Sequence, residues 1–186
     1  MPDISEPGHA PPAPGYTLTA RVLHWITAAL VITMIPIGVV MANFDLGSRG
    51  DVLYDIHRSI GAILLPIMLI RLVYRWMNPP PPLPDDIPAA QQLAAHVTHW
   101  TLYFLLIVQS LIGWIATSAY RAPIKVFWLF ELPPIWPVDQ GFSERAFALH
   151  RWIGIALALL ICLHIAGALY HHFIRKDRVL MRMVGG

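Results

Sequence analysis

The amino-acid sequence predicts an all-α integral membrane protein, a four-helix transmembrane bundle. Three observations predict it. The 186 residues are 56% hydrophobic and only 13% charged, with a mean hydropathy of +0.57, against about 25% charged residues in an ordinary globular domain. A soluble fold of this size buries too small a share of its surface to hide that much apolar area. Long charge-free runs recur, and they are continuously apolar, without the two-residue alternation of membrane strands. This composition excludes a disordered protein, and a net charge of +2 is too small to imply nucleic acid as a partner. A single cysteine, Cys162, excludes an intramolecular disulfide, a four-cysteine cluster and a CxxCH covalent attachment.

The elements follow in order. Residues 1–15, MPDISEPGHAPPAPG, have neither a basic n-region nor an apolar core, so they read as a disordered proline-rich tail and not a signal peptide. Residues 16–186 then form one membrane domain. The run 22–44 has 23 residues without charge, enough to cross about 30 Å of hydrocarbon, and places the first helix near 18–43. The second, near 54–77, holds only 12 uncharged residues at 59–70. Its flanking Arg58 and Arg71 lie about 20 Å apart along a helix, so both can snorkel to the two interfaces. Residues 78–88, NPPPPLPDDIP, are a stiff extended linker, because proline halts the helix. The run 87–120 carries the third helix, near 91–118, and the run 152–174 the fourth, near 146–174. Between them Phe127, Trp128, Phe130 and Trp136 suit an aromatic belt in the headgroup region, or a lid over a buried group. Four spans put both termini on one side. That side holds seven basic residues against six, with a cluster after the last helix, so the termini are expected in the cytoplasm.

Histidine is placed where ionisable residues are scarce. His24 lies in the first helix, His57 opens the second, His96 and His99 open the third, and His150, His164, His171 and His172 lie on or near the fourth. One histidine near a helix end reads as an interfacial group bonded to backbone or lipid; the set does not. His150 and His164 are 14 residues apart, close to four turns, which puts them on one face about 21 Å apart. His57 meets His150 at the outer level, and His24 meets the inner half of the fourth helix, where depth alone admits either His164 or His171. HRSIG at 57–61 and HRWIG at 150–154 repeat one pattern. Gly61 and Gly154 fall one turn from each outer histidine, where a missing side chain lets a flat macrocycle approach; close helix packing is the alternative. Arg58 and Arg151 are placed to meet propionates. Two imidazoles on one haem iron fill both axial positions, which makes an electron carrier and not an oxygen activator. Zinc or copper is the weaker reading, since no acidic or cysteine ligand lies at these depths.

RVLHW (21–25), YDIHRSIG (54–61), IRLVYRWMNPPPP (70–82), AAHVTHWTLYFLL (94–106), LHRWIG (149–154) and LHIAGALYHHFIRKDRVLMRM (163–183) together resemble the bacterial cytochrome b561 family of small dihaem inner-membrane proteins. The resemblance runs from about residue 16 to the end. It implies two haem b groups, the inner on His24 and His164 and the outer on His57 and His150. It also implies single-electron transfer between an outer donor and the ubiquinone pool, and one type in the family is similar to a superoxide oxidase. Six basic and six acidic residues share the outer side here, so no net field draws in an anion. His171, His96, His99, Arg71 and Lys176 are candidates for a quinone site at the inner end, where a headgroup needs hydrogen-bond donors and a proton source; propionate or phospholipid binding is the alternative. The expected partners are membrane lipid, ubiquinone and a small periplasmic donor or redox protein. A haem-bearing anchor relaying electrons for a partner dehydrogenase or hydrogenase is the second functional reading.

Overall fold

A computed structural model of the chain describes residues 15–45, 47–84 and 86–185. Apart from Gly15, the N-terminal tail expected at 1–15 lies outside the described residues. Helix α1 spans Leu18–Asn43, α2 Ser48–Met77, α3 Ala89–Tyr120 and α4 Gln140–Tyr170, and α4 continues into a π-helical turn, His171–Arg175. All four long helices are apolar enough to cross a membrane. Their backbone groups are satisfied within each helix, which is the condition for standing in lipid. Thr17 caps α1 by accepting from Ala20 N–H at 3.2 Å, and Asp139 caps α4 by accepting from Phe142 N–H at 2.9 Å. Pro36 and Pro66 lie inside α1 and α2, which membrane helices tolerate.

Helices α2 and α4 start about six residues before the expected positions 54 and 146, at Ser48 and Gln140. Their first two turns or so carry Arg49, Asp51, Asp55, Glu144 and Arg145, so each helix begins in a charged stretch ahead of its apolar run.

The chain folds as an antiparallel up-and-down bundle in which α1 packs on α2, α2 on α3 and, most extensively, α3 on α4. Helices α1 and α4 face each other across a cavity. A core of Val31, Leu64, Met68, Tyr103, Leu106 and Leu157 fills the middle. The chain also contains a two-stranded hairpin, β1 (Ile124–Val126) paired antiparallel with β2 (Phe130–Leu132), inside the loop read from the sequence as an aromatic belt. Phe127 and Trp128 turn it with φ of 45° and 59°, the left-handed geometry that tight hairpins require. Ser59, 1% exposed, accepts from Phe127 N–H at 2.8 Å, and its single proton is shared between the Asp55 carbonyl at 2.6 Å and the Lys125 carbonyl at 3.0 Å. The hairpin is thereby fastened to α2 two residues beyond His57. At the opposite end the start of α1 meets the last described turn, α5 (Met181–Val184), with Tyr16 N–H donating to the Arg182 carbonyl at 3.2 Å.

Candidate functional site

Two histidine pairs stand at two levels, and α4 contributes to both. At the hairpin end the rings of His57 and His150 have centres 6.1 Å apart and planes crossed at 74°. At the terminal end His24 and His164 are 6.2 Å apart, crossed at 63°. A metal–imidazole bond is about 2.0 Å, and the ring centre lies about 1.1 Å beyond the nitrogen. Two imidazoles on opposite sides of one iron therefore have centres about 6.2 Å apart, so both pairs fit a bis-histidine haem. Among the described residues no group of three or more His, Cys, Asp or Glu is arranged to hold a bare metal ion.

The hairpin-end pair is tightly built. His150 Nδ1 lies 3.1 Å from the Gln109 carbonyl, to which it donates, leaving Nε2 as the free lone pair. The Gln109 side chain donates in turn to the His150 carbonyl at 2.8 Å. One turn further along α3, Gly113 lies under the ring: a Cβ there would meet His150 Cε1 at 3.1 Å. Gly38 of α1 does the same for His57, whose Cε1 would meet a Cβ at 3.4 Å. His57 Nδ1 is buried without a hydrogen-bond partner. Gly61 and Gly154 have other neighbours. A Cβ on Gly154 would meet the Gln109 amide at 3.2 Å, and one on Gly61 the Met34 Cε at 3.7 Å. Gly154 thus makes room for the side chain that crosses from α3, which is the close-packing alternative. Both histidines stand about 14 Å inside their helix starts, counted from Ser48 and Gln140, deeper than the sequence suggests. Arg58 pairs with Asp55 at 3.8 Å and lies over the Tyr54 ring; Arg151 is exposed.

The terminal-end pair opens on a cavity of about 910 Å³, near the upper end of ligand pockets. His24, His99, His164, His171, Arg71 and Arg75 all line it. His99 brings a third ring to within 5.2 Å of His164. Arg71 Nη2 donates to His24 Nδ1 at 2.7 Å. Since arginine has no acceptor, that contact holds the His24 proton on Nε2, and ligation through Nε2 requires Arg71 to let go. His171 does not join the pair: its Nδ1 bonds Asp177 Oδ2 at 2.6 Å. Burial acts to raise the Asp177 carboxyl. Hydrogen bonds from His171, from Val179 N–H and from Arg175 outweigh it and hold the carboxyl below the usual carboxylate value. His96 is exposed beside Trp100, and Lys176 is exposed at the end of the π-turn; neither lines the cavity.

Sequence reasoning missed Gln109, Gly38, Gly113, Arg75 and Asp177. Only Gln109 left a signal, as the one amide in the apolar middle of α3, where a polar group normally has a partner.

Four spanning helices with paired imidazoles at two depths define the class as a helical membrane cytochrome. Comparison with known proteins agrees: a family model described as prokaryotic cytochrome b561 matches residues 15–186. The chain is 35% identical over 175 residues to cytochrome b561 homolog 2 of Escherichia coli (strain K12), covering 91% of each. It is 29% identical over 163 residues to the probable superoxide oxidase CybB of Yersinia pestis, covering 87% of this chain and 91% of that one. Cytochrome b561 homolog 1 of Escherichia coli is 29% identical over 171 residues, covering 91% of this chain and 96% of that one. The chain belongs to the prokaryotic cytochrome b561 family, a multi-pass membrane cytochrome whose family membership implies haem b and electron transfer.

Proposed function

We propose that this cytochrome holds two b haems, one on His57 and His150 and one on His24 and His164, and moves single electrons across the inner membrane from an outer donor to ubiquinone. The observation that carries this reading is the pair of imidazole separations, 6.1 and 6.2 Å, on histidines of α4 that lie about 21 Å apart along its axis. His57 and His150 would hold one haem and His24 and His164 the other, and haem held by two imidazoles would supply one-electron chemistry at each level. The protein's own part is to hold and tune. Gln109 fixes the His150 tautomer, Gly38 and Gly113 let the outer rings seat, and the apolar core excludes water between the levels.

Ubiquinone reduction also requires protons. At the terminal end His171 lines the cavity, and Asp177 behind it lies beyond the spanning segment. This couple is suited to pass protons from the aqueous side to a headgroup in the cavity. Both termini face the cytoplasm in this reading, consistent with the basic residues that follow α4. Superoxide is the donor to test first, because a relative 29% identical carries the name probable superoxide oxidase.

Stopped-flow mixing separates the two half-reactions. Superoxide is expected to reduce the purified protein rapidly, and ubiquinone to reoxidise it. His171→Ala is expected to slow reoxidation more than reduction. If superoxide leaves the haems oxidised while a co-purifying dehydrogenase or hydrogenase reduces them, the chain is a relay subunit instead.

A further inference from the structure

One side of the cavity at the terminal end is formed by Val179, Leu180, Arg182, Met183 and Val184. This segment is pinned at three points. Tyr16 N–H donates to the Arg182 carbonyl at 3.2 Å, Trp25 Nε1 to the Met183 carbonyl at 3.1 Å, and Arg182 Nη1 to the Pro82 carbonyl at 2.6 Å. The segment thus ties the start of α1 to the proline-rich linker after α2.

Arg182 lines the cavity and is only 7% exposed, and its Nε is buried with no hydrogen-bond partner. A buried guanidinium is costly unless an anion or a full set of acceptors meets it. Two more guanidinium groups face the same space. Arg75 lies over the rings of Trp100 and Tyr103 at 5.5 Å, and Arg71 lies 5.0 Å from the Tyr103 centroid while donating to His24. Among the described residues no Asp or Glu lines the cavity. Three arginines on a cavity whose other walls are mostly apolar select a ligand with an apolar body and more than one negative charge.

We propose that Arg182, together with Arg71 and Arg75, binds the carboxylates of the haem held by His24 and His164, and that residues 179–184 are the strap retaining it. The inference rests on the haem reading above and adds the residues that bind the propionates. The planar guanidinium matches a carboxylate in a bidentate fork. A carboxylate that draws Arg71 off His24 Nδ1 lets the imidazole proton move there, freeing Nε2 for iron. Anion binding and ligation therefore reinforce each other. A phospholipid phosphate offers the same chemistry to these arginines, and the experiment separates the two.

The purified holoprotein, Arg182→Ala, Arg182→Lys and a chain lacking residues 180–186 are compared by haem transfer to excess apomyoglobin and by redox titration. Arg182→Ala should release one of two haems about tenfold faster, the worth of one charge-assisted hydrogen bond, and the truncated chain should do the same. That haem's midpoint potential should fall, because a nearby cation favours the less positive, reduced iron. The other haem should be unchanged, and Arg182→Lys should recover only part of the difference, because an ammonium restores the charge but not the bidentate fork. Loaded instead with haem dimethyl ester, wild type and Arg182→Ala should release it at equal rates. Equal rates with ordinary haem overturn the proposal. So does a difference that persists with the ester, which assigns Arg182 to packing or to lipid phosphate. A wild-type chain that carries no haem brings down the haem reading itself, and this inference with it.

Discussion

A methyl group added at residue 113 would oblige the His150 ring to give by a few tenths of an ångström. At Gly113 a Cβ would come within 3.1 Å of the His150 ring, closer than the 3.4 Å available between Gly38 and His57. Gly113→Ala is therefore expected to lower occupancy of the outer haem selectively and Gly38→Ala to do so less, read as haem per chain with the inner haem's spectrum intact. Equal loss of both haems in Gly113→Ala would mean that the glycine serves the bundle as a whole. Gln109→Leu removes the bond to the His150 carbonyl but leaves the main-chain acceptor for Nδ1. It should cost only about 0.5–1.5 kcal/mol, the net worth of an ordinary hydrogen bond, and thermal unfolding measures this. That His150 and His164 share a face was legible in the sequence because 14 residues separate them and helical periodicity converts that spacing to one side of a helix; the choice of His164 as the inner partner came from the family resemblance and not from the spacing. Gly38 and Gly113 were not legible. Each touches a histidine on a different helix, and no spacing within one helix records which neighbour it faces.

At the scale of elements, the hairpin and the π-turn depend on few groups. Ser59→Ala leaves the Phe127 N–H without its acceptor at a cost of about 1–3 kcal/mol for a buried donor. Hydrogen exchange should then rise at residues 124–132 and not in α2; unchanged exchange would show that Arg58 and the buried Ile124 and Val126 suffice to hold the hairpin. The turn after α4 is fastened through Asp177, which binds His171 and, at 3.3 Å, Arg175 Nε. The Asp177 carboxyl is held below its ordinary value of 3.8, so its contribution is fully present above that value and is lost as pH falls through the lower folded value. Protection of residues 171–179 is therefore expected to persist at pH 5 and to weaken below about pH 3.8. Asp177→Asn should remove that acid dependence. The long helices were read correctly in number because lipid demands about 20 apolar residues per span. Their starts at α2 and α4 were missed because charge-free runs mark the hydrocarbon and not the helix. The hairpin was hidden because it is fastened to the bundle by Ser59, 66 and 68 residues away in the chain from the backbone groups it meets.

At the scale of the whole molecule, α4 carries a histidine to each end, α1 and α2 each supply one partner, and α3 orients His150. Depth along the fourth helix left His164 and His171 as rivals for the inner level, and the family resemblance pointed to His164. The geometry separates them: His164 faces His24 at 6.2 Å, while His171 is bonded to Asp177. The cavity's arginines come from α2 and from the C-terminal turn, more than 100 residues apart in the chain, so no local motif announced them. The most direct measurement is haem per chain by pyridine haemochrome, with spectra of the alanine variants. Two haems per chain are expected. His57→Ala and His150→Ala should remove the same one, His24→Ala and His164→Ala the other, and His171→Ala neither. One haem per wild-type chain, or an inner haem lost with His171→Ala and kept with His164→Ala, would contradict the two stacked pairs.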